Sequence, residues 1–228
     1  MSNDAMSFES VAQTAAPVAP ATGKLGVLMP GLGAVASTFV AGVLAARSGL
    51  KPPIGSVSKM AFLDDTEPMQ PPNGRIKDVV PLASLDDLVF GGWDPISANV
   101  LEAARTANVL SEADLHAISG ELEGVVGMDA VFDRKWVARL DGSRIKPATS
   151  KWDQALALID DIERFRIDNG CDRLVMIWCG STEAYQEPSE VHESVDAFEA
   201  GLKANDDNIS PSQIYAYAAL QSDVPFIN

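Results

Sequence analysis

Residues 27–44 read VLMPGLGAVASTFVAGVL. An apolar run meets a sharp turn at Gly31 and Gly33 and then resumes at helical spacing. Lys24 to Met29 is short and apolar enough for a buried strand. Beyond the turn, Phe39, Val40, Val43 and Leu44 recur at a helical period, and Gly49 stops the run. The turn spells Gly31-x-Gly33-x-x-Ala36 between strand and helix, the context a dinucleotide fingerprint requires. Gly31 permits the tight turn, Gly33 lets the backbone approach a pyrophosphate, and Ala36 lets the helix sit close to the strand. The helix start offers free N–H groups and a positive dipole end to phosphate. Ser37 and Thr38 could add hydroxyl donors. The same residues also suit a small-residue turn with no ligand, and the pattern alone leaves both readings open.

The rest of the chain alternates in the same way. Residues 59–65 read as a second strand, and another runs from about Asp87 to Gly91-Gly92. Helices are expected over 96–110, with Ser97 or Asn99 near the start, and over 111–122. A glycine-broken strand or loop covers 123–132, and an irregular basic stretch covers 133–149. The clearest helix is 150–170, with Trp152, Leu156, Ile159, Ile162 and Phe165 on one face and Gly170 at its end. A strand spans 172–179, apolar from Leu174 onward. Helices follow at 190–205 and 211–222, and a strand begins near Val224. Alternating strands and helices imply βαβ units, hence an α/β, Rossmann-type doubly wound domain with a mainly parallel sheet over residues 24–228. Residues 1–23 are rich in Ala, Pro, Ser and Thr without periodicity and read as a disordered leader. Because the last strand is only entered at Asn228, the domain is expected to be truncated at its C-terminus.

The fingerprint wants an acid for the ribose about 20 residues past the glycines. Asp64 and Asp65 lie further on than that, and Asp94 closes the VFGGWD run. Periodicity does not choose between them. A second site-like stretch is WCGSTEAY, residues 178–185. A buried strand there runs into Gly180, Ser181 and Thr182 and then Glu183, where parallel sheets place ligands. Its plain alternative is a helix capped by Ser181 or Thr182. Arg134, Lys135, Arg139, Arg144 and Lys146 are either phosphate contacts or a solvated charged loop.

Composition narrows the function classes. With 32 acidic residues against 17 basic ones and a net charge of -15, non-specific nucleic-acid binding is disfavoured. A small anionic ligand remains compatible, because a site can be locally positive. No apolar run reaches the ~18 residues of a membrane span. Cys171 and Cys179 flank one strand, too far apart in an extended run to pair, so they read as reduced thiols of a cytoplasmic protein. His116 and His192 are the only histidines and form no cluster, so no metal site is expected.

Taken in order, GVLMPGLGAVASTFVAGV, DLVFGGWDPISANVLEAARTANVL, VMIWCGSTEAY and QIYAYAALQSDVPFIN resemble the inositol-3-phosphate (myo-inositol-1-phosphate) synthase family, and most closely its shorter bacterial branch. The resemblance covers nearly all of residues 24–228, and the Gly-Trp-Asp segment with its following helix is more specific than the glycine turn. It implies NAD on a Rossmann-type domain. The family's glycine loop falls on Gly31, Leu32, Gly33, Ala34 and Val35, and its ribose-binding acid falls on Asp94 in preference to Asp64. A stretch beside the cofactor falls on Cys179, Gly180, Ser181 and Thr182, a nearby arginine on Arg139, and an adenine-side segment on Val125 and Val126. The chain departs from the family in three places. Ala-Val-Ala stands where the loop carries asparagines, Cys-Gly-Ser-Thr replaces Thr-Ala-Asn-Thr, and Trp136 replaces a glutamine. Backbone contacts must therefore do what side-chain amides do elsewhere.

The implied reaction converts D-glucose 6-phosphate to 1D-myo-inositol 3-phosphate. It runs through oxidation at C5, enolisation, intramolecular aldol closure and re-reduction, with no net redox change. The family's catalytic lysines and tetramer contacts match nothing in this segment. Catalytic residues are therefore unassigned, a homotetramer is expected only of the longer protein, and this portion alone is expected to be inactive. The alternatives are a non-catalytic NAD-binding module and an NAD-dependent oxidoreductase with net redox.

Overall fold

The computed structural model describes residues 22–61 and 74–228. Five strands, β1 Lys24–Pro30, β2 Leu88–Trp93, β3 Gly127–Met128, β4 Cys171–Ile177 and β5 Phe226–Ile227, form one sheet in the order β3-β2-β1-β4-β5. Every pairing is parallel. The chain winds outward from β1 to β3, then returns to lay β4 on the other side of β1. That reversal makes the gap between the ends of β1 and β4 the switch point where an open α/β sheet binds ligands.

The helices are α1 Ala34–Arg47, α2 Val57–Met60, α3 Ile76–Val79, α4 Val100–Ala107, α5 Glu112–His116, α6 Ser119–Gly124, α7 Lys151–Asn169, α8 Val195–Ala204 and α9 Pro211–Gln221. Two apolar layers clamp the sheet. On one face Val40, Leu44, Val100 and Ala104 of α1 and α4 pack with Val27, Met29 and Phe90. On the other, Leu158, Ile162, Leu202, Ile214 and Ala218 of α7, α8 and α9 pack with Leu28, Leu174 and Met176. β1 is covered on both faces, which is why it reads as an unbroken apolar run. Side chains of Asn99, Ser150, Ser194 and Ser210 cap α4, α7, α8 and α9, and Asn108, Gly170 and Asn205 close α4, α7 and α8 in the left-handed conformation.

Several expectations are corrected. Residues 57–60 form a helical turn where a strand was expected to begin, and 62–65, with Asp64 and Asp65, lie outside the described residues. So do residues 1–21 of the expected leader. β2 runs through Gly91-Gly92 to Trp93. A Cβ on Gly91 would stand 2.5 Å from the Phe165 ring, so Gly91 serves close helix–sheet packing rather than strand termination. The 96–110 helix begins only at Val100, on Asn99 rather than Ser97. The 111–122 helix is two short ones, and 190–205 is a 3-10 turn, Glu190–His192, followed by α8. Of 123–132 only Gly127–Met128 pairs, and β4 ends at Ile177. On α7 the expected face largely holds: Ile162 is buried and Trp152, Ile159 and Phe165 pack against the core, but Leu156 is 44% exposed and Ala155, Leu158 and Asp161 are buried beside it. Both cysteines are free. Among the described residues no helix is long and apolar enough to cross a membrane, and no three His, Cys, Asp or Glu side chains group as metal ligands.

Candidate functional site

A cleft of about 470 Å³ opens at the carboxyl ends of β1, β2 and β4. Its near wall is the glycine turn. Gly31 has φ +85°, and a Cβ there would stand 2.5 Å from Gly180 Cα, so conformation and packing both demand glycine. Gly33 is different. Its backbone is extended, with φ -64° and ψ -150°, and among the described residues nothing lies within 4 Å of where its Cβ would be. Neither strain nor packing explains a glycine at 33. What it provides is open space in front of the start of α1. That start has no side-chain cap and no acidic residue in its first turn. Its backbone donors are therefore left for something outside the helix. Ser37 does not supply the expected donor to the cleft: it is buried, and its hydroxyl is turned onto Ala34 O at 3.4 Å. Thr38 does not line the cleft either.

Asp94 follows the last residue of β2, the strand beside β1, and borders the cleft. Its Oδ2 accepts from Leu32 N at 2.9 Å, and its Oδ1 accepts from Ile96 N at 2.8 Å and Ser97 N at 2.7 Å. Leu32 itself is wholly buried beneath the turn. Opposite the turn runs the segment after β4. Cys179, Gly180, Ser181 and Thr182 face Gly31, Gly33, Ala34 and Val35 across the opening. No helix begins at Ser181 or Thr182, which removes the capping alternative for this stretch. Glu183 instead caps α9, accepting from Ser212 N at 2.9 Å and Ser212 Oγ at 2.5 Å, and so ties the segment down.

Burial pushes the Cys179 thiol above its ordinary range. Less thiolate is then present at a given pH, so alkylation of Cys179 in the folded protein should lag a free thiol at pH 8 and accelerate only well above it. A ligand in the cleft should slow it further. Peptide mass mapping after timed alkylation reads both effects, and free-thiol rates at pH 8 would contradict the expectation.

The floor of the cleft was not legible in the sequence. Trp93, Trp178 and Tyr215 form it, with ring centroids 5.2 Å apart for Trp93–Tyr215 and 5.8 Å for Trp178–Tyr215. The Tyr215 hydroxyl accepts from Val131 N at 3.0 Å, and burial drives its phenol far above the ordinary range. Trp93 Nε1 donates to Asp161 Oδ2 at 2.7 Å, and the same oxygen meets Lys146 Nζ at 2.5 Å, while Arg164 pairs with Oδ1. Trp93 and Trp178 sit at strand ends and could have been found by that rule. Tyr215 comes from the middle of a distant helix and carries no local signal.

Other expected residues fall elsewhere. Val125 and Val126 lie before β3. Val126 bridges Asn99, is 65% exposed, and lines a separate polar cavity with Asp129 and Arg144. Arg139 is exposed on a cavity next to the cleft that shares Ser181 and Thr182 with it. Trp136 is buried there, its carbonyl accepting from Ala184 N at 2.9 Å. The basic stretch is mostly structural. Arg144 donates to Ser97 O and Gly127 O, Lys146 meets Asp161, Lys135 meets Asp207 O, and Arg134 meets Asp141. Among the described residues Arg139 alone of the five makes no hydrogen bond or ion pair.

An NAD-binding family model described as myo-inositol-1-phosphate synthase matches residues 25–228. Inositol-3-phosphate synthase 1 of Bacteroides thetaiotaomicron is 46% identical over 214 residues, covering 92% of this chain and 49% of that protein. Inositol-3-phosphate synthase of Citrus paradisi is 31% identical over 220 residues, covering 90% of this chain and 43% of that one. The crystal structure of inositol-3-phosphate synthase from Caenorhabditis elegans superposes with a TM-score of 0.81 at 23% identity, over 91% of this chain and 44% of that one, and shows the same fold. The chain spans about half the length of the curated relatives it matches.

Proposed function

This chain belongs to the myo-inositol-1-phosphate synthase family, and from that premise we propose that residues 24–228 are its NAD-binding unit, with the cofactor held in the cleft between β1 and β4. The observation that carries the reading is the space in front of Gly33 at the uncapped start of α1. A Cβ would fill that space, no described residue comes within 4 Å of it, and backbone donors border it. A pyrophosphate is the group of that shape and charge. Gly31, Gly33, Ala34 and Val35 are assigned to the phosphates, Cys179 to Thr182 to the opposite wall, and Asp94 to the end of β2. Arg139, which has no partner among the described residues, lines the neighbouring cavity that shares Ser181 and Thr182 with the cleft.

In the longer protein, this unit would serve the conversion of D-glucose 6-phosphate to 1D-myo-inositol 3-phosphate. NAD held there by the 31–35 turn and the 179–182 segment would supply the hydride acceptor and donor for a reaction with no net redox change. This chain's residues orient and dry the site. The Trp93, Trp178 and Tyr215 floor excludes water, and Glu183 and Asp94 hold the walls with carboxylates already engaged by N–H and O–H donors. Among the described residues no lysine lines the cleft. The enolisation and aldol groups are accordingly assigned to the other half of the longer family proteins.

The test is a titration of this chain with NAD, followed by calorimetry and tryptophan emission. One saturable site per chain is expected, with quenching because two indoles, Trp93 and Trp178, border the cleft. Heat without saturation and unchanged emission would sink the reading. A product assay on the longer protein separates the synthase from a net oxidoreductase, since only the latter accumulates reduced cofactor.

A further inference from the structure

The wall facing the glycine turn is loop: residues 178–189 carry neither helix nor strand. Its backbone is pinned at two places. Cys179 N donates to Pro30 O at 3.0 Å, and Ala184 N donates to Trp136 O at 2.9 Å. Between them lie Ser181 and Thr182, both exposed and both on the cleft. Among the described residues, their N–H groups and hydroxyls make no hydrogen bond. A loop presents such donors in one direction only if something fixes it. The next residue, Glu183, does. Its carboxylate accepts from Ser212 N at 2.9 Å and Ser212 Oγ at 2.5 Å, in the first turn of α9 and at the positive end of its dipole. That helix has its own start: Ser210 caps it in a capping box with Gln213, and Pro211 follows. It is also fixed in the core through Ile214, Tyr215 and Ala218. Glu183 thus adds a second cap to a helix already capped, and ties a loop to a rigid element.

We propose that Glu183 is a positioning residue of the cofactor cleft: its clasp on Ser212 holds the donors of Ser181 and Thr182 towards the nicotinamide half of the dinucleotide. The proposal rests on the reading of the cleft as an NAD site and says how one wall of that site is kept in shape. In a doubly wound sheet the cofactor lies across the reversal of strand order, one mononucleotide on each half of the sheet. The adenosine side belongs to the half that β1 begins, and the segment after β4 opens the other. A wall held in place beforehand costs the ligand no ordering of the loop when it binds.

Calorimetric titration with NAD and with ADP tests it, because ADP keeps the adenosine and both phosphates but lacks the nicotinamide riboside. Glu183→Ala should bind NAD about tenfold more weakly and ADP as well as the unsubstituted chain does. Glu183→Gln should keep its NAD affinity. Its carbonyl accepts from Ser212 N, its NH2 donates to Ser212 Oγ, and the serine hydroxyl turns to Ser210 Oγ, 3.1 Å away. Ser210→Ala, which strips the other cap of α9, should lower the urea midpoint and leave NAD binding alone. If Glu183 acted only through α9, the two alanine variants would behave alike. Equal losses of NAD and ADP in Glu183→Ala, no loss of either, or a glutamine variant as weak as the alanine one would each overturn the proposal. Should Glu183→Ala not fold, Glu183→Asp takes its place with the same expectation, since it keeps the charge but is one methylene short. If neither folds, Glu183 is needed for the fold itself and the proposal fails. An unsubstituted chain that binds NAD and ADP equally overturns this proposal alone, and one that binds neither overturns the cofactor reading with it.

Discussion

Gly33→Val should lower NAD affinity by about 100-fold or more while leaving the domain folded. Two glycines that look alike in the sequence differ in the structure. At Gly33 no described residue occupies the space a side chain would enter, and the extended backbone accepts other residues. Valine there costs the fold about 1 kcal/mol, as a poor N-cap replacing a tolerated one. It does, however, place a branched side chain where phosphate oxygens must approach. Two or more hydrogen bonds to a charged group, each contributing about 1.5–3 kcal/mol, are then unavailable. Gly31→Ala is the contrast. Its φ of +85° and the 2.5 Å approach to Gly180 mean that the added methyl strains the fold before any ligand arrives. Calorimetry and urea unfolding on both variants give the pattern. Retention of NAD affinity by folded Gly33→Val would remove the phosphate from this turn.

Asp161→Ala should cost about 3–5 kcal/mol of stability, the range for stripping one partner from a buried ion pair. The side chains of Asp161 and Lys146 are 5% and 10% exposed, so the lysine is left charged and poorly solvated. Trp93 Nε1 loses its acceptor in the same stroke. Arg164 is mostly in solvent and adds little. Urea denaturation should show a lower midpoint with an unchanged slope. The double variant Asp161→Leu with Lys146→Met should recover much of the loss, because no uncompensated charge remains. A loss below about 1 kcal/mol in Asp161→Ala would mean that the pair is open to water.

What could be read in advance was local. The strand, Gly31-x-Gly33 and helix lie within one stretch of chain, and short-range sterics and dipoles dictate their geometry. Asp94 was legible as a strand-end acid, but its engagement with Leu32 needs β1 and β2 side by side. On α7 the pattern failed at Leu156, which matches the period yet is exposed, and at Asp161, a buried charged residue that no hydrophobic pattern selects. Gly91-Gly92 looked like a stop for the same reason: the partner that needs the missing side chain, Phe165, is far along the chain. Asn99, rather than Ser97, takes the cap of α4: its side chain accepts from Glu102 N, while Ser97 lies in the turn held by Asp94.

The central position of β1 has a consequence for synthesis. This apolar strand emerges first, yet one of its two neighbours, β4, pairs Lys24 with Cys171. At roughly 5–20 residues per second, the ribosome takes on the order of 10 s to deliver that partner. Throughout that interval VLMP has one open edge and one uncovered face, a template for intermolecular pairing. Nascent-chain shielding near residues 24–30, and aggregation yields that fall when translation is slowed before residue 24 but rise when it is slowed between 100 and 170, are the cellular signature to look for in this topology.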